Sequence, residues 1–263
     1  MRRLLLALLP LATLLSGCSS TDYDLMQTAS IPPRFQDTDP QNFGTRTPQH
    51  HNIHGIDVSK WNGDIDWMKV KNSGVSFAFI KATEGKDRVD TRFAEYWQKA
   101  RAAGIPYAPY HFYYFCSTAD DQADWFIANV PKSAVYLPPV LDVEWNGESK
   151  TCRHRPTPDE VRVEMKRFMD RLEAHYGKRP IIYTSVDFHR DNLVDQFKEH
   201  HFWVRSVAKH PGEVYVERRW AFWQYTSTGV IPGIDGATDI NVFAGSAKNW
   251  KNWVAAVSQP KQD

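Results

Sequence analysis

The sequence predicts an α/β protein built as a closed barrel that departs from the regular eightfold form. Three observations lead there. Strand-like and helix-like segments alternate over about 200 residues, the pattern of parallel βα units. The early strand segments are near-continuous apolar runs, as expected of strands covered on both faces. About eight strands can be counted, which suits a closed barrel, but the last three lack obvious helices between them.

The elements follow in order. Residues 53–58 read as a strand, and 67–71 as a short helix entered from the turn Asp64-Ile65-Asp66. Residues 75–80 form a strand, and 91–103 a helix that stops at Gly104. A strand lies within 106–115, a helix over 119–129 and an apolar strand over 135–143. The clearest helix comes next. Thr157-Pro158-Asp159-Glu160 supplies an N-cap, a proline at the first helical position and a capping-box glutamate. Val161, Met165, Phe168 and Leu172 then recur at helical spacing as one buried stripe, and Gly177 ends the helix. Strands follow at 179–184, 201–207, 220–225 and 238–242, with a short helix after Asn249.

Composition narrows the function classes. The chain has 263 residues, 42% hydrophobic, with a net charge of +1. That supports one sizeable core and argues against a nucleic-acid partner, which usually draws a basic excess. The 10 Trp, 11 Tyr and 14 Phe are a high aromatic share; core filling is the default for each, and any surplus beyond core need would suit a sugar-binding cleft. No paired Cys-x-x-Cys set occurs, and His50 to His54, spaced His-x-x-x-His, stand without a metal-ligand framework, so neither a metal nor a cofactor is expected. His50, His51 and His54 read as a solvated loop.

The N-terminus reads as an export signal. Arg2 and Arg3 precede an apolar run over 4–15, too short to span a bilayer comfortably. Leu15-Ser16-Gly17-Cys18 resembles the lipobox of bacterial lipoproteins, which implies acylation of Cys18 as the new N-terminus and anchoring to a membrane. Ser19 then favours the outer membrane, with the protein facing the periplasm. The expected organisation is a signal peptide over 1–17, a flexible polar tether over 18–52 and the barrel over 53–258. A monomer is expected. In an exported protein the remaining cysteines, Cys116 and Cys152, form a candidate disulfide. Both follow neighbouring strands at the same predicted face, where their loops can meet.

In such barrels chemistry sits where strands end, and polar groups cluster there. Asp57 ends the first strand, and Lys81 and Glu84 follow the second. Tyr110 lies on the third, Asp142 and Glu144 on the fourth, and Tyr183 on the fifth. Trp203, Gln224 and Asp239 lie on the last three. Asp142 and Glu144 are the sharpest pair. Residues at i and i+2 on a strand face one side, so both carboxylates enter one cavity. Two carboxylates in a partly buried cleft cannot both stay charged, and one becomes a proton donor near neutral pH. Glycoside hydrolysis needs such a pair.

The chain resembles the glycoside hydrolase family 25 lysozymes, the N-acetylmuramidases, along residues 53–250. The motifs are Gly55-Ile56-Asp57-Val58-Ser59 with Trp61, Phe77-Ala78-Phe79-Ile80-Lys81-Ala82-Thr83-Glu84-Gly85, Tyr110-His111-Phe112 and Leu141-Asp142-Val143-Glu144. Pro180-Ile181-Ile182-Tyr183-Thr184, Phe222-Trp223-Gln224-Tyr225 and Gly233-Ile234-Asp235-Gly236 leading to Asp239 complete the series. The resemblance implies an irregular TIM-like (β/α)5(β)3 barrel. It also implies cleavage of peptidoglycan at the β-1,4 bond between N-acetylmuramic acid and N-acetylglucosamine. Glu144 then matches the general acid, Asp142 its neighbouring carboxylate, and Asp57 and Asp239 the other catalytic acids of the cleft. Tyr110, Tyr183, Trp203, Gln224, Lys81 and Glu84 are candidate substrate contacts, with a Lys81–Glu84 ion pair the structural alternative. Trp61, Trp145, Trp203 and Trp223 are candidate sugar platforms, with core packing the default for each.

Two other readings compete. A chitinase-like barrel would need acids at Leu137 and Val140 to complete D-x-x-D-x-D-x-E. A non-catalytic peptidoglycan-binding lipoprotein would gain nothing from closely placed carboxylates that are costly to desolvate.

Overall fold

Eight strands close on themselves, and the hydrogen-bonding pattern explains why the last third of the chain reads differently from the first. The structure is a computed structural model and describes residues 35–258. In chain order the strands are β1 (Gln36–Asp37), β2 (His54–Val58), β3 (Phe77–Glu84), β4 (Arg88–Val89), β5 (Tyr107–Phe112), β6 (Val140–Val143), β7 (Ile181–Thr184), β8 (Phe202–Arg205), β9 (Phe222–Val230) and β10 (Thr238–Phe243). The helices are α1 (Trp67–Asn72), α2 (Phe93–Ala102), α3 (Ala119–Asn129), α4 (Pro158–Tyr176), α5 (Val186–Asn192), α6 (Pro211–Val214) and α7 (Ala247–Ser258). Neighbours run β2-β3-β5-β6-β7-β8-β9-β10 and back to β2. From β2 to β9 every pair around the ring is parallel, whereas β10 is antiparallel to both its neighbours. Five βα units followed by three further strands make up the barrel, as the sequence predicts.

Local signals carry most of the helices. Thr157 and Glu160 form the reciprocal capping box of α4, and Gly177 closes it at φ 68°. The predicted stripe of Val161, Met165, Phe168 and Leu172 is fully buried. Two short helices, α5 and α6, are not evident in the sequence. Each is under two and a half turns, too short for an apolar stripe to repeat. The predicted strand 135–143 shortens to β6, because residues 132–134 take a 3-10 turn first. β9 runs on to Val230, beyond the predicted end, because its outer half forms a hairpin with β10 above the barrel.

Gly55 shows how tightly the barrel wall packs. A Cβ there would lie 2.5 Å from the Phe77 ring, so only glycine fits. Inside, Phe77, Phe79, Tyr183, Trp203 and Phe222 fill the barrel. Below them α7 closes the mouth at the strands' N-terminal ends, with Trp250 against Phe77 and Phe243 at 5.3 Å each. The opposite mouth is left for chemistry.

The signal peptide, acylated Cys18 and the tether to residue 34 lie outside the described residues. Residues 35–52, expected to be free tether, instead lie on the barrel. β1 pairs antiparallel with β9, Gln36 opposite Val230. Phe35 meets the edge of His54, and Phe43 meets Trp223 edge-on at 5.0 Å. Single apolar residues anchor this strap at intervals, so no period of 2 or 3.6 betrays it. His54 is likewise no solvated loop residue: it is buried on β2, with Nε2 2.9 Å from the His51 carbonyl.

Candidate active site

Four carboxylates gather at the open mouth. Asp57 lies near the end of β2, Asp142 in β6, and Glu144 one residue past the end of β6. Asp239 arrives from the other direction. Because β10 is antiparallel, its start lies at the mouth, and Asp239 sits directly opposite Asp57 in the ladder. The last strand's reversal thus brings a residue from its beginning to where the other strands end.

Asp57 is 6% exposed and held by side chains from two strands. Gln224 Nε2 donates to its Oδ2 at 2.9 Å and Asn241 Nδ2 to the same oxygen at 2.8 Å. Tyr183 donates its hydroxyl to Gln224 Oε1 at 2.9 Å, and Trp203 Nε1 donates to Asn241 Oδ1 at 2.7 Å. Two chains of donors therefore converge on one carboxylate oxygen. Burial pushes Asp57 up to about 6, while Asn241, Gln224 and Arg205 hold it lower than burial alone would. Asp239 is pushed up to about 8 by burial and by the charge of Asp57. The two carboxylates lie opposite each other and resist carrying two charges, and the donors on Asp57 favour the charge there over Asp239.

Asp142 and Glu144 are both raised, each first by burial. Glu144 is the next cause for Asp142, whose own exposure is 6%. Asp142 Oδ1 is buried and accepts no hydrogen bond from the protein, although more than nine buried polar groups in ten find a partner. Burial plus a like charge favours the protonated form within the pair, the requirement for a general acid.

The other predicted residues divide. Lys81 and Glu84 pair with each other at 2.7 Å. Glu84 also accepts from Tyr114 at 2.9 Å and from Arg88 at 3.2 Å, so its carboxylate is occupied within the wall. The Lys81 ammonium lies 4.6 Å from the Phe112 ring and lowers both Asp142 and Glu144. Tyr110, partly exposed at the mouth, is raised by burial and by the charges of Asp57, Asp142 and Asp239. Trp203 was expected to meet sugar, but its ring is 2% exposed, stacked on Phe79 at 4.2 Å, with its N–H taken by Asn241. No ring face is left for a ligand. Tyr183 and Gln224 are buried too: Tyr183 lies beside Asp142 in the ladder and its hydroxyl donates to Gln224, which donates to Asp57. Trp223 is core, donating to the Ser206 carbonyl. Trp145 is half-buried against Phe188 and donates to Asp191 at 2.9 Å. Trp61 alone of the four platforms is open to solvent.

Cys116 and Cys152 form a disulfide that ties the loop after β5 to the loop after Glu144. No group of three or more His, Cys, Asp or Glu that could hold a metal ion occurs among the described residues.

Two residues of the site were missed in the sequence. Arg205, at the end of β8, lowers Asp57, Glu144 and Asp239. Asn241 clamps Asp57. Both could have been found by strand alternation, Arg205 two residues after Trp203 and Asn241 two after Asp239.

The chain is similar to known proteins. The profile of Glycosyl hydrolases family 25 matches residues 56–234. An uncharacterised protein of Escherichia coli K12, YegX, is 35% identical over 231 residues, covering 83% of this chain and 79% of its own. Lysozyme M1 of Streptomyces globisporus is 36% identical over 203 residues, 74% of this chain and 69% of its own. Among solved structures, a family 25 glycosyl hydrolase from Bacillus anthracis superposes with a TM-score of 0.68 at 36% identity, covering 78% of this chain and 94% of that one. With the family profile spanning most of the barrel and all four acids but Asp239 inside it, this chain belongs to glycosyl hydrolases family 25.

Proposed function

We propose that the protein is a peptidoglycan hydrolase that cuts the β-1,4 bond between N-acetylmuramic acid and N-acetylglucosamine, with Glu144 as general acid. The observation that carries this reading is the buried Asp142–Glu144 pair, with Asp142 Oδ1 lacking any protein donor. Glu144, the more exposed of the two, gives its proton to the departing glycosidic oxygen. Asp142, beside it, faces the developing positive charge. Asp57, held charged by Asn241 and Gln224, adds a second negative charge to the cleft, and protonated Asp239 donates beside it. Family membership and the lysozyme named among the relatives support the same substrate.

The decisive experiment digests purified peptidoglycan and identifies the new reducing sugar by mass spectrometry. Release of reducing-end muramic acid is expected. Glu144→Gln removes the transferable proton and should lower turnover by roughly a hundred- to ten-thousand-fold while glycan binding persists. Wild-type protein that binds glycan and releases no reducing ends would overturn the proposal.

The proposed setting is the bacterial envelope, with Cys18 acylated and the barrel facing the periplasm from the outer membrane. It rests on the lipobox-like Leu15-Ser16-Gly17-Cys18. Cys18→Ala should release the protein from membrane fractions; unchanged mass and fractionation would refute it.

A further inference from the structure

Trp61 is 83% exposed, and it is the one tryptophan among the described residues that is neither buried nor partly buried. Its position is fixed rather than loose. It sits in a 3-10 turn over residues 60–62 that follows β2 directly. Ser59 caps the turn reciprocally with Asn62, its backbone N–H donating to Asn62 Oδ1 at 2.9 Å. The Lys60 amide donates to buried Asp90 at 2.9 Å, and Tyr96 donates its hydroxyl to the Gly63 carbonyl. Asn62 Nδ2 reaches the Ala237 carbonyl at 3.5 Å. The turn thus bridges the end of β2, which carries Asp57, and the loop that leads into Asp239. The Lys60 ammonium stands over one face of the indole, 4.9 Å from its centroid, and the ring keeps open area besides.

We infer that Trp61 is a stacking platform for a hexosamine ring of the glycan strand, at a subsite outside the four carboxylates. This deepens the peptidoglycan-hydrolase reading and rests on it. A rigid turn displays the indole, so binding orders the side chain's torsions and no loop backbone. A pyranose ring needs one flat apolar face with polar groups nearby, and the indole offers a face with the Lys60 ammonium close by. A protein or membrane contact would call instead for a contiguous apolar patch, and Lys60, Asn62 and Asp64 around Trp61 are polar. The platform's turn follows the strand that carries Asp57 and touches the loop that leads into Asp239, which puts it at the same mouth as the carboxylates.

The test compares Trp61→Ala and Trp61→Phe in the full-length protein, on long peptidoglycan strands and on a short muropeptide tetrasaccharide. For Trp61→Ala the KM on long strands should rise roughly three- to tenfold with little change in kcat. The loss in kcat/KM should be several-fold larger on long strands than on the tetrasaccharide. Trp61→Phe, which keeps a ring face, should recover most of the loss. Equal losses on both substrates, a loss in kcat alone, or no loss at all would overturn the inference. A second readout stands apart from turnover: sedimentation of Glu144→Gln with insoluble peptidoglycan, with and without Trp61→Ala. Weaker sedimentation of the double variant supports the platform even if wild-type protein cleaves nothing, a result that would fall on the proposed activity alone. Equal sedimentation overturns the platform.

Discussion

Asn241→Leu tests whether the donor chain on Asp57 sets the enzyme's working pH. Leucine has the same branching and heavy-atom count as asparagine but cannot donate, and its extra bulk is a packing cost at this buried site that the paired melt registers. The substitution removes the 2.8 Å hydrogen bond to Asp57 Oδ2 and leaves the 2.9 Å bond from Gln224 in place. A hydrogen bond to a charged group is worth about 1.5–3 kcal/mol net. It is made most strongly to the ionised form, and one pH unit corresponds to about 1.4 kcal/mol, so Asp57 should rise by roughly one to two units. It starts at about 6. The sign follows: a carboxylate that loses a donor holds its proton to higher pH, so the acidic limb of the kcat/KM profile moves up. Well below that limb the rate should fall roughly ten- to a hundredfold, and on the alkaline side it should change little. Trp203 Nε1 also loses its acceptor in the core, at a stability cost of about 1–3 kcal/mol, so each measurement is paired with a thermal melt. The assay is release of reducing ends from peptidoglycan between about pH 4 and pH 9. A uniform drop at all pH values, with the acidic limb unmoved, would refute the reasoning.

Other perturbations separate the remaining parts. Arg205→Met removes a cation that lowers Asp57, Glu144 and Asp239 together, so both limbs of the pH profile should move upward; movement of one limb alone would contradict this. Asp239→Asn should stabilise the fold increasingly from about pH 4 to pH 8. A carboxyl raised to about 8 contributes stability below its unfolded pKa and loses it as pH rises through the folded value, and the amide has nothing to lose. A melting temperature that gains nothing at pH 8 relative to pH 4 would count against it. Replacing Cys116 and Cys152 by serine opens a loop with a sequence separation of 36 and should cost roughly 4 kcal/mol in the chain-entropy model. That corresponds to a melting temperature lower by about 8–16 °C, and an unchanged melt would refute it.

The fold was legible where local chemistry and the global requirement agree. In α4 the cap, the buried stripe and the terminal glycine all fall where the sequence places them, since each is decided within one helical turn. The βα alternation was legible for the same reason. What stayed hidden depends on distant partners. Nothing local says that Phe35 and Phe43 find His54 and Trp223, so a polar stretch anchored by single aromatics reads as tether. The reversal of β10 is equally silent, because an antiparallel strand buried in a barrel carries the same apolar pattern as its parallel neighbours.

The site divides along the same line. Positions near the strand ends mark the four acids, and i, i+2 spacing brings Asp142 and Glu144 to one cavity. Spacing says which side of a strand a residue faces, but not how deep it lies. Trp203, Tyr183 and Gln224 face the barrel interior at the height of the acids, and by direction alone they look like sugar contacts. Depth changes their role. At 2–6% exposure each must satisfy its polar atom within the protein, and the nearest demanding group is the buried Asp57 carboxylate. Residues that would grip a sugar one layer higher therefore become the groups that fix a proton affinity. The consequence is measurable as a difference in kind. Tyr183→Phe should leave KM for glycan nearly alone and shift the acidic limb upward by less than Asn241→Leu does, since it acts on Asp57 at one remove through Gln224. A Tyr183→Phe variant that instead raises KM with an unmoved pH profile would return the hydroxyl to the substrate and break the donor chain described here.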